Sequence, residues 1–207
     1  MADYIAIGDI HGMDGMLEKL LGCLPEAGTL VFLGDYIDRG PGSRRVLDRL
    51  LALEQQRKCI FLRGNHEMLA LDALKGDRQA ELMWLFNGGA ETVSEYEGGV
   101  LTPEHIDFLK RTQFYHSTNE TIFVHAGLEP GIALELNDEQ TFCWMREPFL
   151  STNYNWGRLV VHGHTPNSAH KTEIHPNRIN IDTGAVYGGA LTALLLPERE
   201  IIAVTGS

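Results

Sequence analysis

The stretch Gly34-Asp35-Tyr36-Ile37-Asp38-Arg39-Gly40 sets two carboxylates and a guanidinium directly behind an apolar run, Leu30-Val31-Phe32-Leu33. A buried strand that ends in dense charge needs a partner for it, because an unpaired buried carboxylate is costly. A metal ion and a phosphate group would supply that partner. Taken alone, the heptad fits a solvated loop with a local Asp38–Arg39 pair equally well. Four other stretches share its place in the local pattern. Asp9 and His11 follow Tyr4-Ile5-Ala6-Ile7, Asn65 and His66 follow Cys59 to Leu62, His125 follows Thr121 to Val124, and His162 and His164 follow Arg158 to Val161. Glycine accompanies every one of these strand ends (Gly8, Gly34, Gly64, Gly127, Gly163), so the backbone can turn tightly and approach a ligand. In open α/β sheets, ligands bind outside the carboxyl ends of the strands. Mixed oxygen and nitrogen donors suit Mn²⁺, Fe or Zn²⁺ and fit poorly with a thiolate zinc site.

The elements that would carry these turns are legible from periodicity. Strand-like runs at 4–7, 29–33 and 59–62 alternate with helical stripes, Met16-Leu17-Leu20-Leu21-Leu24 and Val46-Leu47-Leu50-Leu51. That β-α-β-α-β order predicts a parallel sheet with helices on its faces. The region 67–112 reads as mostly helical, its last helix announced by Thr102-Pro103-Glu104, a cap with proline in the first turn. Later strand-like runs, at 121–124, 158–161, 179–181, 190–196 and 201–204, come closer together, with one helical stretch around 134–149. The last three are spaced as antiparallel hairpin strands. The expected class is α/β (α+β): a central β-sandwich of mixed sheets flanked by helices, one domain over residues 1–207.

Bulk composition narrows the partners. The chain has 207 residues, enough for one well-buried core. Its net charge of −11, from 17 basic and 28 acidic residues, argues against nucleic acid, whose binding rests on basic surface. Cys23, Cys59 and Cys143 lie far apart and fit neither a disulfide framework nor a C-x-x-C site, so they read as reduced core thiols in a cytoplasmic protein. No apolar stretch approaches the length of a membrane span, and the N-terminal residues lack a signal-peptide pattern. The expectation is no membrane partner.

Read together, Gly8-Asp9-Ile10-His11-Gly12, the Gly34–Gly40 heptad, Gly64-Asn65-His66-Glu67, His125-Ala126-Gly127 and Gly163-His164-Thr165 resemble the ordered signature of the phosphoprotein phosphatase family of metallophosphoesterases. The short length and Ile181-Asp182-Thr183-Gly184-Ala185-Val186-Tyr187 are nearest to its compact bacterial and phage members. The resemblance implies two divalent ions, Mn²⁺ foremost with Fe or Zn²⁺ as alternatives. Asp9, His11 and Asp35 would hold the first; Asp35 would bridge to the second, completed by Asn65, His125 and His164. A hydroxide between the ions would be the nucleophile. His66 would protonate the leaving oxygen, held by Asp38. Arg39, Arg63 and Arg146 would grip phosphate, for which guanidinium is suited. Arg146 rests on the resemblance alone and otherwise reads as a helix-surface residue. Tyr187 resembles an aromatic overhanging the site in relatives, with turn-filling as the other reading. His162 reads as a neighbouring core residue, and His105, His116, His170 and His175 as surface or loop positions.

The activity implied is a metal-dependent serine/threonine protein phosphatase, extending to phosphotyrosine, with phosphorylated proteins or peptides as partners. Two alternatives stand beside it. A symmetrical dinucleoside polyphosphate hydrolase shares the metal ligands, but Asp38-Arg39-Gly40 and Asn65-His66-Glu67 read as phosphatase forms. A catalytically dead scaffold is disfavoured because every ligand and His66 are present.

Overall fold

A computed structural model describes residues 2–206. In chain order its elements are β1 (Tyr4–Ile7), α1 (Asp14–Cys23), β2 (Thr29–Phe32), α2 (Ser43–Glu54), β3 (Cys59–Phe61), α3 (Asn65–Ala73), α4 (Arg78–Trp84), α5 (Ala90–Ser94) and α6 (Pro103–Lys110). The second half supplies β4 (Tyr115–Ser117), β5 (Thr121–Val124), α7 (Glu139–Trp144), β6 (Leu159–His162), β7 (Glu173–Ile174), β8 (Arg178–Asn180), β9 (Ala190–Leu196) and β10 (Glu200–Thr205). They form two five-stranded mixed sheets, ordered β10-β9-β1-β2-β3 and β4-β5-β6-β8-β7. Helices flank the pair, as the expected β-sandwich of mixed sheets requires.

The period-2 geometry of a strand explains how short segments hold four layers together through three cores. On β1 and β2, Ile5, Ile7, Leu30 and Phe32 point outward to Leu17 and Leu20 of α1 and Val46, Leu47 and Leu50 of α2. Ala6, Val31 and Leu33 point inward, where they meet Phe123, Val161, Ile179 and Ile181 of the second sheet. Beyond that sheet, Ile122, Val124 and Val160 pack against Phe142, Cys143 and Phe149. Strands buried on both faces read as continuous apolar runs, and β2, β5 and β6 are buried along their whole length. Their carboxyl ends are where the chain must turn back into solvent, and there the polar motifs sit.

Three details depart from expectation. Residues 179–181 do not join the C-terminal hairpin: β8 pairs parallel with β6 in the second sheet, while β9 and β10 form the hairpin of the first. The link 181–189 crosses from one sheet to the other and carries left-handed glycines, Gly184 and Gly188, so the glycines that look like a hairpin turn serve a crossover. Strands β4 and β7 are too short, at three and two residues, to leave a period. The helical stretch 134–149 reduces to a 3₁₀ turn and the six-residue α7. Among the described residues no helix is long and apolar enough to cross a membrane.

Candidate metal centre and acid–base pair

The loops after β1, β2, β3, β5 and β6 converge at one rim. Backbone strain marks the place: of the seven non-glycine residues with positive φ among those described, five are His11, Asp35, Asp38, Arg39 and His164. Such conformations persist only where the surroundings over-determine them. Glu67, fully buried in the first turn of α3, supplies much of that constraint. Its carboxylate accepts from the backbone N–H groups of Asp35 (2.8 Å), Tyr36 (2.9 Å) and Gly64 (2.9 Å), tying the turn after β2 to the turn after β3. Burial, then the Asp35 charge, pushes its pKa up to about 8 against those three donors. Glycine is required where the loops meet: a Cβ on Gly64 would lie 2.1 Å from Asp35 Oδ1, and one on Gly163 would lie 2.0 Å from Asp9 Oδ1.

The side chains form two clusters that share Asp35. His11, Asp35 and His66 make one and Asp35, His125 and His164 the other, with candidate ligand atoms in each within 4.8 Å of one another. The two carboxylate oxygens of Asp35 face different partners: Oδ2 lies 3.3 Å from His11 Nε2 and Oδ1 lies 3.5 Å from His125 Nε2. Asn65 Oδ1 sits between His125 Nε2 (3.1 Å) and His164 Nδ1 (3.0 Å). Asp9 accepts from the backbone N–H of His164 at 3.1 Å. His11 Nδ1 and His125 Nδ1 donate to the carbonyls of Ile37 (2.9 Å) and Leu33 (3.0 Å), which turns each Nε2 toward the centre, where that of His11 meets the Arg39 guanidinium.

Electrostatics favour a cation here. Burial pushes Asp9 well above the usual carboxylate range, and the Asp182 and Asp35 carboxylates add to the effect. Asp182 itself is raised to about 6, chiefly by burial. For Asp35 burial is outweighed by His125, His66 and His11, which together hold it well below its ordinary value. Burial lowers His125, and it lowers His164 to about 2 with help from the neighbouring His125. His125 and His164, held neutral beside the shared carboxylate, are in the protonation state a metal needs; for His11 burial is outweighed by Asp35, which raises it. His164 Nε2 is also buried without a hydrogen-bond partner. The donor set therefore fits two divalent ions sharing Asp35.

His66 stands at the edge of the first cluster. Its Nδ1 lies 2.7 Å from Asp38 Oδ2, and its Nε2 is buried and unpartnered. Asp38 is held in turn by Trp84 Nε1–H (2.9 Å to Oδ2) and Thr92 Oγ1–H (2.7 Å to Oδ1), and its backbone N–H donates to Ser43 Oγ at 3.0 Å. Trp84 and Thr92 are absent from the sequence reading, since nothing separates a tryptophan in a helical stripe from ordinary core.

The arginines divide. Arg39 Nη1 reaches His11 Nε2 at 2.7 Å, and its guanidinium lies 5.6 Å from the centre of the Tyr187 ring, so it overhangs the first cluster. Arg63, expected on phosphate, is placed elsewhere. Its guanidinium donates to Thr112 Oγ1 and to the carbonyls of Leu109, Lys110 and Thr112, and stacks on Phe114. The C-terminal carbonyls of α6 are orphan acceptors that draw a cation, and they claim this one. Arg146 is exposed just beyond α7, near enough for its charge to lower the His164 pKa. It belongs to the rim. His162 is buried against Phe149 and lowered to about 3 by burial, as a core residue. His105 is a correction: it is not on the surface but 2% exposed, bridging Tyr96 Oη (2.8 Å) and Asp48 Oδ1 (3.0 Å).

Comparison with known proteins now decides the family. Residues 3–191 match the model of the calcineurin-like phosphoesterases. The chain belongs to that family. It is a metallophosphoesterase, a hydrolase class built on a dinuclear divalent metal centre. A relative from Anoxybacillus flavithermus, named bis(5'-nucleosyl)-tetraphosphatase PrpE [asymmetrical], is 31% identical over 97% of this chain and 93% of its own. One from Bacillus cereus with the same name is 30% identical over 99% and 94%. A solved structure described as a candidate diadenosine tetraphosphatase superposes with a TM-score of 0.78 at 24% identity, covering 100% of this chain and 94% of that one. The two sequence relatives overturn the expected phosphoprotein and phosphopeptide partners: both are named bis(5'-nucleosyl)-tetraphosphatase. They also differ from the symmetrical cleavage considered above, since both names specify the asymmetrical reaction.

Proposed function

We propose that this metallophosphoesterase hydrolyses dinucleoside polyphosphates, splitting a tetraphosphate-bridged dinucleoside asymmetrically into a nucleoside monophosphate and a nucleoside triphosphate, within a single catalytic domain. The observation that carries this reading is the end-to-end match to the relatives named for that reaction. Asp38-Arg39-Gly40 and Asn65-His66-Glu67 do not oppose it. They build the acid–base pair and the metal loops, and those features say nothing of what lies beyond the scissile phosphorus.

Asp9, His11, Asp35, Asn65, His125 and His164 would hold two divalent ions, Mn²⁺ first among the metals such donors accept. When bound, the ions supply Lewis acidity and a water made acidic enough to attack at neutral pH. The chain's own groups do the rest. His66 presents Nε2, the buried unpartnered nitrogen, to donate a proton to the oxygen leaving phosphorus. Asp38 fixes the opposite nitrogen and orients the ring. Arg39 overhangs the first cluster from within the cavity, where its planar fork can take two phosphate oxygens. Arg146 at the rim suits a polyphosphate, whose charge extends beyond a single phosphoryl group.

The test strips the protein with chelator and restores Mn²⁺, Zn²⁺ or Fe²⁺ separately. Turnover of diadenosine tetraphosphate is then compared with that of a phosphothreonine peptide, and nucleotide products are resolved by chromatography. Metal-restored release of AMP and ATP in equal amounts is the expected result. Two equivalents of ADP would refute the asymmetry, and preference for the peptide would refute the substrate class.

A further inference from the structure

The segment between α4 and α5 faces two ways. Trp84 is buried, with its indole N–H on Asp38. Two residues on, Phe86 is 91% exposed. The chain then breaks at Gly88, whose φ of 105° admits the backbone of Arg39: the Arg39 N–H donates to Gly88 O at 3.1 Å, and a Cβ on Gly88 would lie 2.7 Å from Arg39 Cγ. Across Arg39 stands Tyr187, 52% exposed. Phe86, Arg39 and Tyr187 line one open cavity of ≈ 450 Å³ at the mouth of the metal centre.

An aromatic ring left almost wholly in water forgoes the stabilisation of burial. Here that ring and the half-exposed Tyr187 share one cavity with a guanidinium that reaches His11 of the first cluster. That combination has a chemical counterpart: a flat aromatic group joined to a chain of phosphates. Every nucleobase has a π-face that stacks on aromatic side chains without hydrogen-bond readout. On the same wall, Asn87 uses its amide N–H on the Met83 carbonyl at 2.7 Å. Its carbonyl oxygen and the nearby Glu91 carboxylate remain as acceptors at the cavity, which suits a base carrying an exocyclic amino group.

We infer that Phe86 and Tyr187 form a nucleobase subsite, stacking one base of the dinucleoside while Arg39 holds the adjoining phosphates. This rests on the dinucleoside polyphosphate reading given above and deepens it. It makes the α4–α5 segment a mechanical link, since the strand of chain that carries Phe86 to the base also carries Trp84 to Asp38.

The experiment measures KM for diadenosine tetraphosphate and for tripolyphosphate, which has the phosphate chain without a base, using Mn²⁺-loaded wild type, Phe86→Ala and Phe86→Trp. The ratio of the two KM values should rise about tenfold in Phe86→Ala, which corresponds to about 1.4 kcal/mol and lies within the range for one lost base–aromatic stack. Phe86→Trp should restore it. A ratio unmoved by Phe86→Ala, or one that Phe86→Trp fails to restore, overturns the subsite while leaving the hydrolase reading intact. Wild type that does not hydrolyse diadenosine tetraphosphate at all overturns the hydrolase reading, and the subsite falls with it.

Discussion

His66 Nδ1 lies 2.7 Å from Asp38 Oδ2, and neither side chain has any exposure to solvent. The pairing leaves His66 one free nitrogen, aimed away from the carboxylate and edge-on to His11, whose ring centre is 4.7 Å away. The proposed role that this placement supports is action on the leaving group.

Replacing it as His66→Asn should therefore leave metal content at the wild-type value while turnover falls. General acid catalysis contributes roughly 10²–10⁴-fold. The loss on diadenosine tetraphosphate should be near the low end of that range, because a nucleotide phosphate is a better leaving group than an alkoxide. It should be smaller still on p-nitrophenyl phosphate, whose phenolate needs no proton. Equal losses on the two substrates would contradict the acid role.

Trp84→Phe removes the indole donor to Asp38 and keeps the ring. Asp38 would retain Thr92 and His66. Loss of one buried hydrogen bond to a charged group costs about 1.5–3 kcal/mol, so urea unfolding should show a drop of that size. In kinetics kcat should fall with metal content unchanged, because Asp38 is then freer to rotate. A variant that loses stability but keeps kcat would show Trp84 to be packing alone.

Asp35→Ala tests the shared ligand. One carboxylate faces both His11 and His125, so its removal should empty both positions rather than one. Metal analysis after dialysis is expected to give fewer than one ion per chain, against two for the wild type. Retention of two ions would refute the bridging role.

How much of this was legible beforehand follows a physical line. The parallel strands β1, β2, β5 and β6 are buried on both faces and so announce themselves as apolar runs, and the residues after them stand out as misplaced charge. Asp9, His11, Asp35 and His125 stand out this way, as do His162 and His164 together, of which the family resemblance selects His164; Asn65 and His66 follow the less buried β3, and the structure brings Asp9, His11, Asp35, Asn65, His66, His125 and His164 to one rim. Residues that act through hydrogen bonds carry no such signal. Trp84, Thr92 and His105 look like helix positions, and only the tertiary fold puts Asp38 or Asp48 beside them. Arg63 misled in the opposite direction: it neighbours the Asn65-His66 motif in sequence, but β3 ends against the last turn of α6, and the carbonyls there take its guanidinium. The motifs describe the reacting phosphorus and say nothing of the remainder of a substrate, and Phe86 and Tyr187 are single aromatics in short π and 3₁₀ turns that form no motif.

Metal removal should change the pH dependence of stability, and its sign is set by the raised acids. Asp182 goes from 3.8 to about 6 and Glu67 from 4.5 to about 8, in both cases chiefly through burial. A carboxyl whose folded pKa is raised contributes stability that is full below its unfolded value and is lost as pH rises through the folded one. His125, His162 and His164, lowered by burial below their ordinary 6.5, add stability as pH rises to about 6.5 and not beyond, so the chelated protein should lose melting temperature from about pH 6.5 to pH 8. Asp35 works the other way, since its folded value lies below 3.8, but its contribution is lost only on acidification below that value and leaves this window untouched. With Mn²⁺ restored, the cations stabilise the ionised carboxylates and the fall should flatten or reverse. Thermal scans at fixed ionic strength, with chelator and with Mn²⁺, check both halves. A chelated protein whose melting temperature is level or rises across the window would refute the idea that these buried acids are held against their own charge, and would remove the electrostatic case for a cation at the rim.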